Sequence, residues 1–375
     1  MSWHRPFLVL ILGTAWVGVL LLAAPAFWNI FLTIRLLTNL NQAAGDISTA
    51  EGLRTVELTE SRSGSEETLR GRLYLPDSIR GPSILFLPGL TRQGYDHPRF
   101  TAVARALART GCPILTPDIR VLKELRLEES SLEETIFWLD WWLHRSPQKV
   151  RRVGLLGVSV GGTLGLKAAA KRSQQVSFVV SIGGYQDLER CRQRWFGGGD
   201  STLRHGDYPV RYYGKWIWML TVLEALQPAS NREPLRSILY ALIEKGRLET
   251  VGPELSEEGQ RWLRIATHDS VGELFGTALP PNPDRLHRLS ADRDLSRVQC
   301  PVFLIHGLQD ELIPPSETLE LRNLLVRAPT SVLLTPLISH THPLWQELND
   351  LRKGWALLRL SCFLHGFVSI TSRES

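Results

Sequence analysis

The densest chemistry in this chain lies in LLGVSVGGTLGL, where Gly157-Val158-Ser159-Val160-Gly161 sets a serine between two glycines, after an apolar run and before a second apolar stretch of helical character. A serine on a tight strand-to-helix turn holds its hydroxyl clear of the backbone, and the small residues two before and two after it let the chain close up beneath. The helix N-terminus under Ser159 would also favour negative charge developing there. Serine is a poor nucleophile at neutral pH, so a base must come from elsewhere in the chain.

Ten histidines are available. His340 follows the apolar run SVLLTP after the short loop LISH and precedes a long final helix, a place from which a loop can carry an imidazole over the serine. His342 is the rival, although the proline after it suits a helix start. The acid that orients the imidazole and stabilises imidazolium belongs after the preceding strand, where PVFLIHGLQDELIPP offers Asp310. Glu311 beside it is expected to point away, Asp187 after VVSIGG is an alternative acid, and His306 reads as a residue that packs and hydrogen-bonds. Acyl chemistry further requires backbone donors aimed at an oxyanion. Val160, directly after the serine, supplies one, and Leu90 in the sharp turn Pro88-Gly89-Leu90-Thr91 is the candidate for the other, on position alone.

Those residues need a sheet to hold them. RTVELTE (54–60) and TLRGRLYL (68–75) alternate apolar and polar residues around the turn-like SRSGSEE and predict an antiparallel hairpin. SILFL (83–87) is a continuous apolar run, the pattern of a strand buried on both faces. Helix 99–110, strand 113–117, helix 131–145, strand 153–158, helix 161–172 and strand 176–182 then follow as a regular beat, which predicts a parallel sheet with crossover helices. Phe137, Trp138, Trp141 and Trp142 recur at helical spacing and predict a packing face. From 186 to 297 the beat stops and helical segments such as KWIWMLTVLEAL and EPLRSILYALIEKG follow one another. It resumes with PVFLIH (301–306), a helix over 316–328, SVLLTP (331–336) and a final helix over 343–367. The expected organisation is a core in two parts, 52–185 and 298–368, enclosing a helical insertion at 186–297.

Serine, acid and histidine in that order, each after a strand, resemble the α/β-hydrolase superfamily of serine hydrolases. LFLPGLTR, LLGVSVGG, LIHGLQDELIPP and SHTHP stand in for its oxyanion loop, nucleophile elbow, acid loop and histidine loop. The resemblance covers about residues 54–367 and departs from the family pattern at Pro88, where many members carry histidine. It implies an α/β fold with a mostly parallel sheet flanked by helices, a helical cap over the active site, and a triad of Ser159, Asp310 and His340 that works without cofactor or metal. The superfamily includes esterases, lipases, thioesterases, acyltransferases and peptidases, so the resemblance implies reaction type ahead of substrate. Trp195, Trp216, Trp218, Met219 and Trp262 give the insertion apolar bulk, which reads as cap packing or, more boldly, as an inner face for an acyl chain or lipid.

From Phe7 to Ile34 no side chain is charged across 28 residues, where about 20 suffice to cross a bilayer as a helix. With Trp3 and Trp28 as interfacial anchors, 7–34 is expected to be a single-pass membrane anchor. Ala24-Pro25-Ala26 resembles a signal-peptide cleavage site, but the apolar run continues past it. Arg5 and Arg35 flank the stretch and leave orientation open.

Composition narrows the rest. The 375 residues are 43% hydrophobic and 22% charged, the profile of a globular protein. The net charge of +5 comes from basic residues scattered between acidic ones, which argues against a nucleic-acid partner. Cys112, Cys191, Cys300 and Cys362 form no CxxC pair, which excludes the usual zinc and Fe–S spacings and does not look like a disulfide framework. No strand is followed by GxGxxG, and no Walker lysine loop or HExxH occurs, so dinucleotide, nucleotide and zinc-protease readings fall away. The expectation is a membrane-anchored serine hydrolase that cleaves a carboxylic ester of a small-molecule or lipid acyl substrate through an acyl-enzyme. A peptidase or acyltransferase would use the same triad, and a silent scaffold of this fold is the non-enzymatic alternative.

Overall fold

A computed structural model describes residues 52–62, 67–146, 150–197, 203–248, 255–268 and 283–338, with positions 356, 359, 360 and 363. The chain enters through strands β1 (Leu53–Ser61) and β2 (Thr68–Pro76), the antiparallel hairpin its alternation predicts. Then come β3 (Ile84–Leu87), α1 (Pro98–Arg109), β4 (Ile114–Pro117), α2 (Arg120–Lys123), α3 (Ser130–His144), β5 (Val153–Val158), α4 (Val160–Lys171) and β6 (Val176–Ile182). After the insertion the sheet resumes with β9 (Val302–Gly307), α10 (Ser316–Leu324) and β10 (Thr330–Thr335). The strands form one sheet in the order β1-β2-β4-β3-β5-β6-β9-β10. Its first two pairings, β1 with β2 and β2 with β4, are antiparallel and the rest parallel.

The apolar runs are continuous because both faces of the sheet are covered. Successive side chains of a strand point to opposite faces. Accordingly Leu85 and Leu87 join one core with Leu155, Val179 and the helix residues Trp138, Trp142 and Leu166. Ile84 and Phe86 join a second with Phe178, Val180, Phe303 and, from α1, Phe100 and Ala104. The tryptophan-rich helix packs as expected, with Trp138 and Trp142 fully buried.

Between β6 and β9 the described residues form α5 (Leu188–Phe196), a hairpin of β7 (Arg204–His205) and β8 (Tyr208–Pro209), α6 (Arg211–Val222), α7 (Arg232–Lys245), α8 (Glu257–Thr267) and α9 (Pro283–Leu289). The small hairpin and α2 are elements the apolar periodicity did not announce, because each is shorter than the window over which a period can register. The helix expected over 316–328 stops at Leu324. Pro329 disfavours helical backbone in the residue before it, and a turn delivers the chain to β10.

Trp195, Trp216, Trp218, Met219 and Trp262 are all buried, and Trp195 and Trp216 donate their indole N–H groups to the carbonyls of Leu312 and Ala266. They are interior packing of the insertion, which removes the aromatic motive for an acyl-binding inner face. Residues 7–34 lie outside the described residues; among those described no helix is long and apolar enough to cross a membrane.

Candidate active site

Ser159 sits between β5 and α4 with φ 56° and ψ −125°, a left-handed conformation that costs a residue with a Cβ of order 1–3 kcal/mol and persists only where its surroundings enforce it. They do so on three sides. The Ser159 N–H donates to Ile182 O at 2.7 Å, pinning the turn to β6, and Gly162 N donates back to Ser159 O at 2.9 Å. A methyl on Gly157 would fall 2.1 Å from Gly161 O, so the turn can close only with glycine there. A methyl on Gly89 would lie 3.2 Å from both Ser159 Cβ and Val158 O, which runs the loop after β3 directly past the serine. Thr163 Oγ1 in α4 bonds Tyr185 O at 2.9 Å and receives Tyr185 N at 3.0 Å, fixing the helix to the loop after β6.

Val160 directly follows the serine, and Gly89, which meets Ser159, directly precedes Leu90. Val160 opens α4, and the first N–H groups of a helix have no intrahelical acceptor. Leu90 follows Gly89, half-buried against the larger core. The start of α4 and the loop are in backbone contact, because a methyl on Gly161 would meet Pro88 O at 2.5 Å and Leu87 O at 2.6 Å.

Asp310 lies in the loop after β9 and is buried. Its Oδ1 accepts the N–H groups of Leu312 at 3.0 Å and Ile313 at 2.9 Å, which locks the carboxylate plane. β5 and β9 are parallel and separated by β6 alone, so the turn carrying Ser159 and the loop carrying Asp310 leave the same end of the sheet, two strands apart. His340 and His342 lie outside the described residues.

The rival residues are accounted for. Asp187 caps α5, accepting Glu189 N at 2.8 Å and Arg190 N at 3.3 Å, and so serves the helix N-terminus. Glu311 turns to the insertion, where Leu203 N donates to it at 3.3 Å. His306 is fully buried, its Nε2 2.9 Å from Ile313 O and its Nδ1 2.6 Å from the Thr318 hydroxyl. Since Ile313 O can only accept, the proton sits on Nε2, and that N–H also faces Asp310 Oδ2 at 3.4 Å. His306 therefore buttresses the acid loop.

Two further groups escaped sequence reasoning. Glu317, buried at the start of α10, accepts Gln186 N, Asp187 N and the Arg190 guanidinium at 2.8–3.0 Å, joining α10 to the root of the insertion. This ion pair and its hydrogen bonds raise the Arg190 pKa above its ordinary value. Arg92, two residues after Leu90, reaches α7 through Tyr240 and Glu244. Nothing in sequence spacing pairs residues about 150 positions apart. Burial pushes the Cys112 and Cys191 thiols up and away from thiolate. Among the described residues no cluster of three or more His, Cys, Asp or Glu could hold a metal.

Residues 124–340 match the family model of the X-Pro dipeptidyl-peptidases, the S15 family. Among solved structures, an acylaminoacyl peptidase in complex with Z-Gly-Gly-Phe-chloromethyl ketone is 15% identical with a TM-score of 0.50, covering 85% of this chain and 42% of its own. That likeness shows the α/β-hydrolase fold. The uncomplexed acylaminoacyl peptidase of Pyrococcus horikoshii is also 15% identical (TM-score 0.48; 84% of this chain, 41% of that one). The hyperthermophilic esterase of the archaeon Pyrobaculum calidifontis is 17% identical (TM-score 0.47; 90% and 92%). This chain thus spans about two fifths of the length of the acylaminoacyl peptidases it matches. No curated protein matches it.

Proposed function

This chain belongs to the X-Pro dipeptidyl-peptidase (S15) family, hydrolases of the α/β-hydrolase superfamily, and from that premise we propose that it hydrolyses a carboxylic ester at Ser159 through an acyl-enzyme. The observation that carries the reading is the strained turn at Ser159, held at φ 56° by backbone contacts from β6, α4 and the loop after β3. Strain of this kind is retained where a hydroxyl has to be presented.

In the proposed cycle His340 takes the Ser159 proton as the oxygen attacks the acyl carbonyl. The N–H groups of Val160 and Leu90 receive the oxyanion, and the start of α4 adds its dipole to the same charge. Asp310, its Oδ1 occupied by two backbone donors, orients His340 and stabilises the imidazolium. His340 returns the proton to the leaving alcohol, water then attacks the acyl-enzyme with His340 again as base, and the acid is released. The reading includes a membrane anchor at 7–34, supported by the uncharged length of that stretch, and a small-molecule or lipid acyl substrate. Cleavage of an amide after proline is the second reading. It is favoured by the family match over residues 124–340 and uses the same groups, with an amine leaving in place of the alcohol.

The test is a substrate panel on the membrane fraction, comparing chromogenic esters of increasing acyl length with Xaa-Pro arylamides for the wild type, Ser159→Ala and His340→Ala. Ester turnover lost in both variants is the expected result. Arylamide turnover well above ester turnover selects the peptidase. Ester turnover unchanged in Ser159→Ala overturns the reading.

A further inference from the structure

We propose that Arg92 is a positioning residue that fastens the loop carrying the Leu90 oxyanion donor to helix α7 of the insertion, so that the donor is in register only while α7 is seated. The inference rests on the Ser159 reading above.

After β3 the chain passes Ser159 at Gly89, places Leu90, and turns sharply. Thr91 O accepts Gly94 N at 3.0 Å and Thr91 Oγ1 accepts Gln93 N at 3.4 Å, which puts Arg92 at an exposed corner of that turn. Its guanidinium stacks over the Tyr240 ring, 4.3 Å from the centroid, and its Nη1 donates to Glu244 Oε1 at 2.6 Å. Tyr240 and Glu244 are four residues apart on α7 and so lie on one face of it. The Tyr240 hydroxyl continues to Glu124 O at 3.3 Å, in the segment after β4 and α2. The opposite side of α7 is fixed in the insertion core, with Leu235, Leu239 and Leu242 fully buried. One helix of the insertion therefore grips the loops that follow both β3 and β4.

The chemistry of the grip suits a contact that must open. Arg92 and Glu244 are each about half exposed. Such a pair is weak and screened by salt, and stacking of a guanidinium on a ring adds a comparable modest attraction. Such a contact can open and re-form without unfolding α7, and its re-formation restores the loop. Because the Leu90 N–H is assigned to the oxyanion, which forms only in the transition state, the contribution of Arg92 falls on the chemical step.

The experiment uses the full chain in its membrane fraction. The rate of labelling by a fluorophosphonate probe is measured together with kcat and KM on the ester turned over best in the panel. Arg92→Ala is expected to lower kcat and labelling rate about 10-fold, a fraction of the 10²–10³ that loss of an oxyanion donor costs, with KM within about twofold. Arg92→Lys should recover most of the loss, and the exchanged pair R92E/E244R should label faster than R92E alone. High salt should slow the wild type towards Arg92→Ala while leaving that variant nearly unchanged. A wild-type rate in Arg92→Ala, or a loss confined to KM, overturns the proposal. A wild type that does not label at all refutes the Ser159 reading instead, and the two failures are thereby separated.

Discussion

Replacing Gly161 by alanine should separate the loop after β3, proposed to carry an oxyanion donor, from the helix that faces it. The added methyl would sit 2.5 Å from Pro88 O and 2.6 Å from Leu87 O, where real contacts do not fall below 3.0 Å. Both atoms belong to backbone that cannot rotate away, so the loop must retreat by roughly 0.5–0.9 Å. A misplacement of about 1 Å at a reacting centre costs on the order of 100-fold, and over-packing costs about 1–3 kcal/mol of stability. Labelling by a fluorophosphonate is therefore expected to slow about 30- to 100-fold at a temperature where thermal unfolding shows the variant folded. Gly165, one turn along α4, supplies the control, because its added methyl would meet Leu87, Leu155 and Val179 side chains at 3.6–3.8 Å, ordinary contact distances. Gly165→Ala should label at the wild-type rate and gain up to about 1 kcal/mol from helix propensity. A folded Gly161→Ala that labels at full rate would falsify the pairing of loop and helix start. An equal loss in Gly165→Ala would mean that α4 is merely intolerant of substitution.

Other expectations follow from the same geometry. Burial raises the Glu134 carboxyl to about 7, so the folded chain holds this proton more tightly than the unfolded one. The resulting stabilisation is complete below the ordinary value of 4.5 and lost as pH rises through about 7, a swing of up to about 3 kcal/mol. Urea midpoints taken from pH 5 to 8 should accordingly show Glu134→Gln gaining on the wild type as pH rises, and parallel curves would refute the assignment. Asp310→Asn should keep the fold while kcat drops by about 10³–10⁴, the cost of an imidazole held in the wrong tautomer; a loss under tenfold would point to another acid. His306→Leu strands Ile313 O and the Thr318 hydroxyl, each worth about 1–3 kcal/mol when buried and unpaired. Its urea midpoint should fall accordingly, and a midpoint equal to the wild type's would deny the buttress.

What the sequence made legible was what repeats locally. The alternation of 54–60 and 68–75, the doubly buried run at 83–87 and the helix–strand beat through 182 each carry their own pattern, and the structure places elements there to within a residue or two. The serine turn was legible because Gly157 is demanded by a contact with Gly161 O only four residues on, whereas the contacts that demand Gly161, Leu87 O and Pro88 O, lie far back in the chain. The roles of Asp187 as a helix cap, Glu317 as an anchor for the insertion, and Arg92 as a partner of α7 were not legible. Each depends on a side chain meeting residues far away in the chain, and no spacing records such a meeting. The insertion's tryptophans illustrate the same limit, since apolar composition gave their burial but not the direction they face. The residues 7–34, His340 and His342 fall outside the described residues and stand on sequence alone.

The central claim is that Ser159 is an activated nucleophile, and the most direct measurement is mass-spectrometric mapping of the adduct left by a fluorophosphonate on the full chain. The account predicts a single phosphonylated peptide, the one containing Ser159, with no adduct in Ser159→Ala and none on heat-unfolded protein. An adduct on a different residue of the folded wild type, or a folded wild type that takes up no probe, contradicts it.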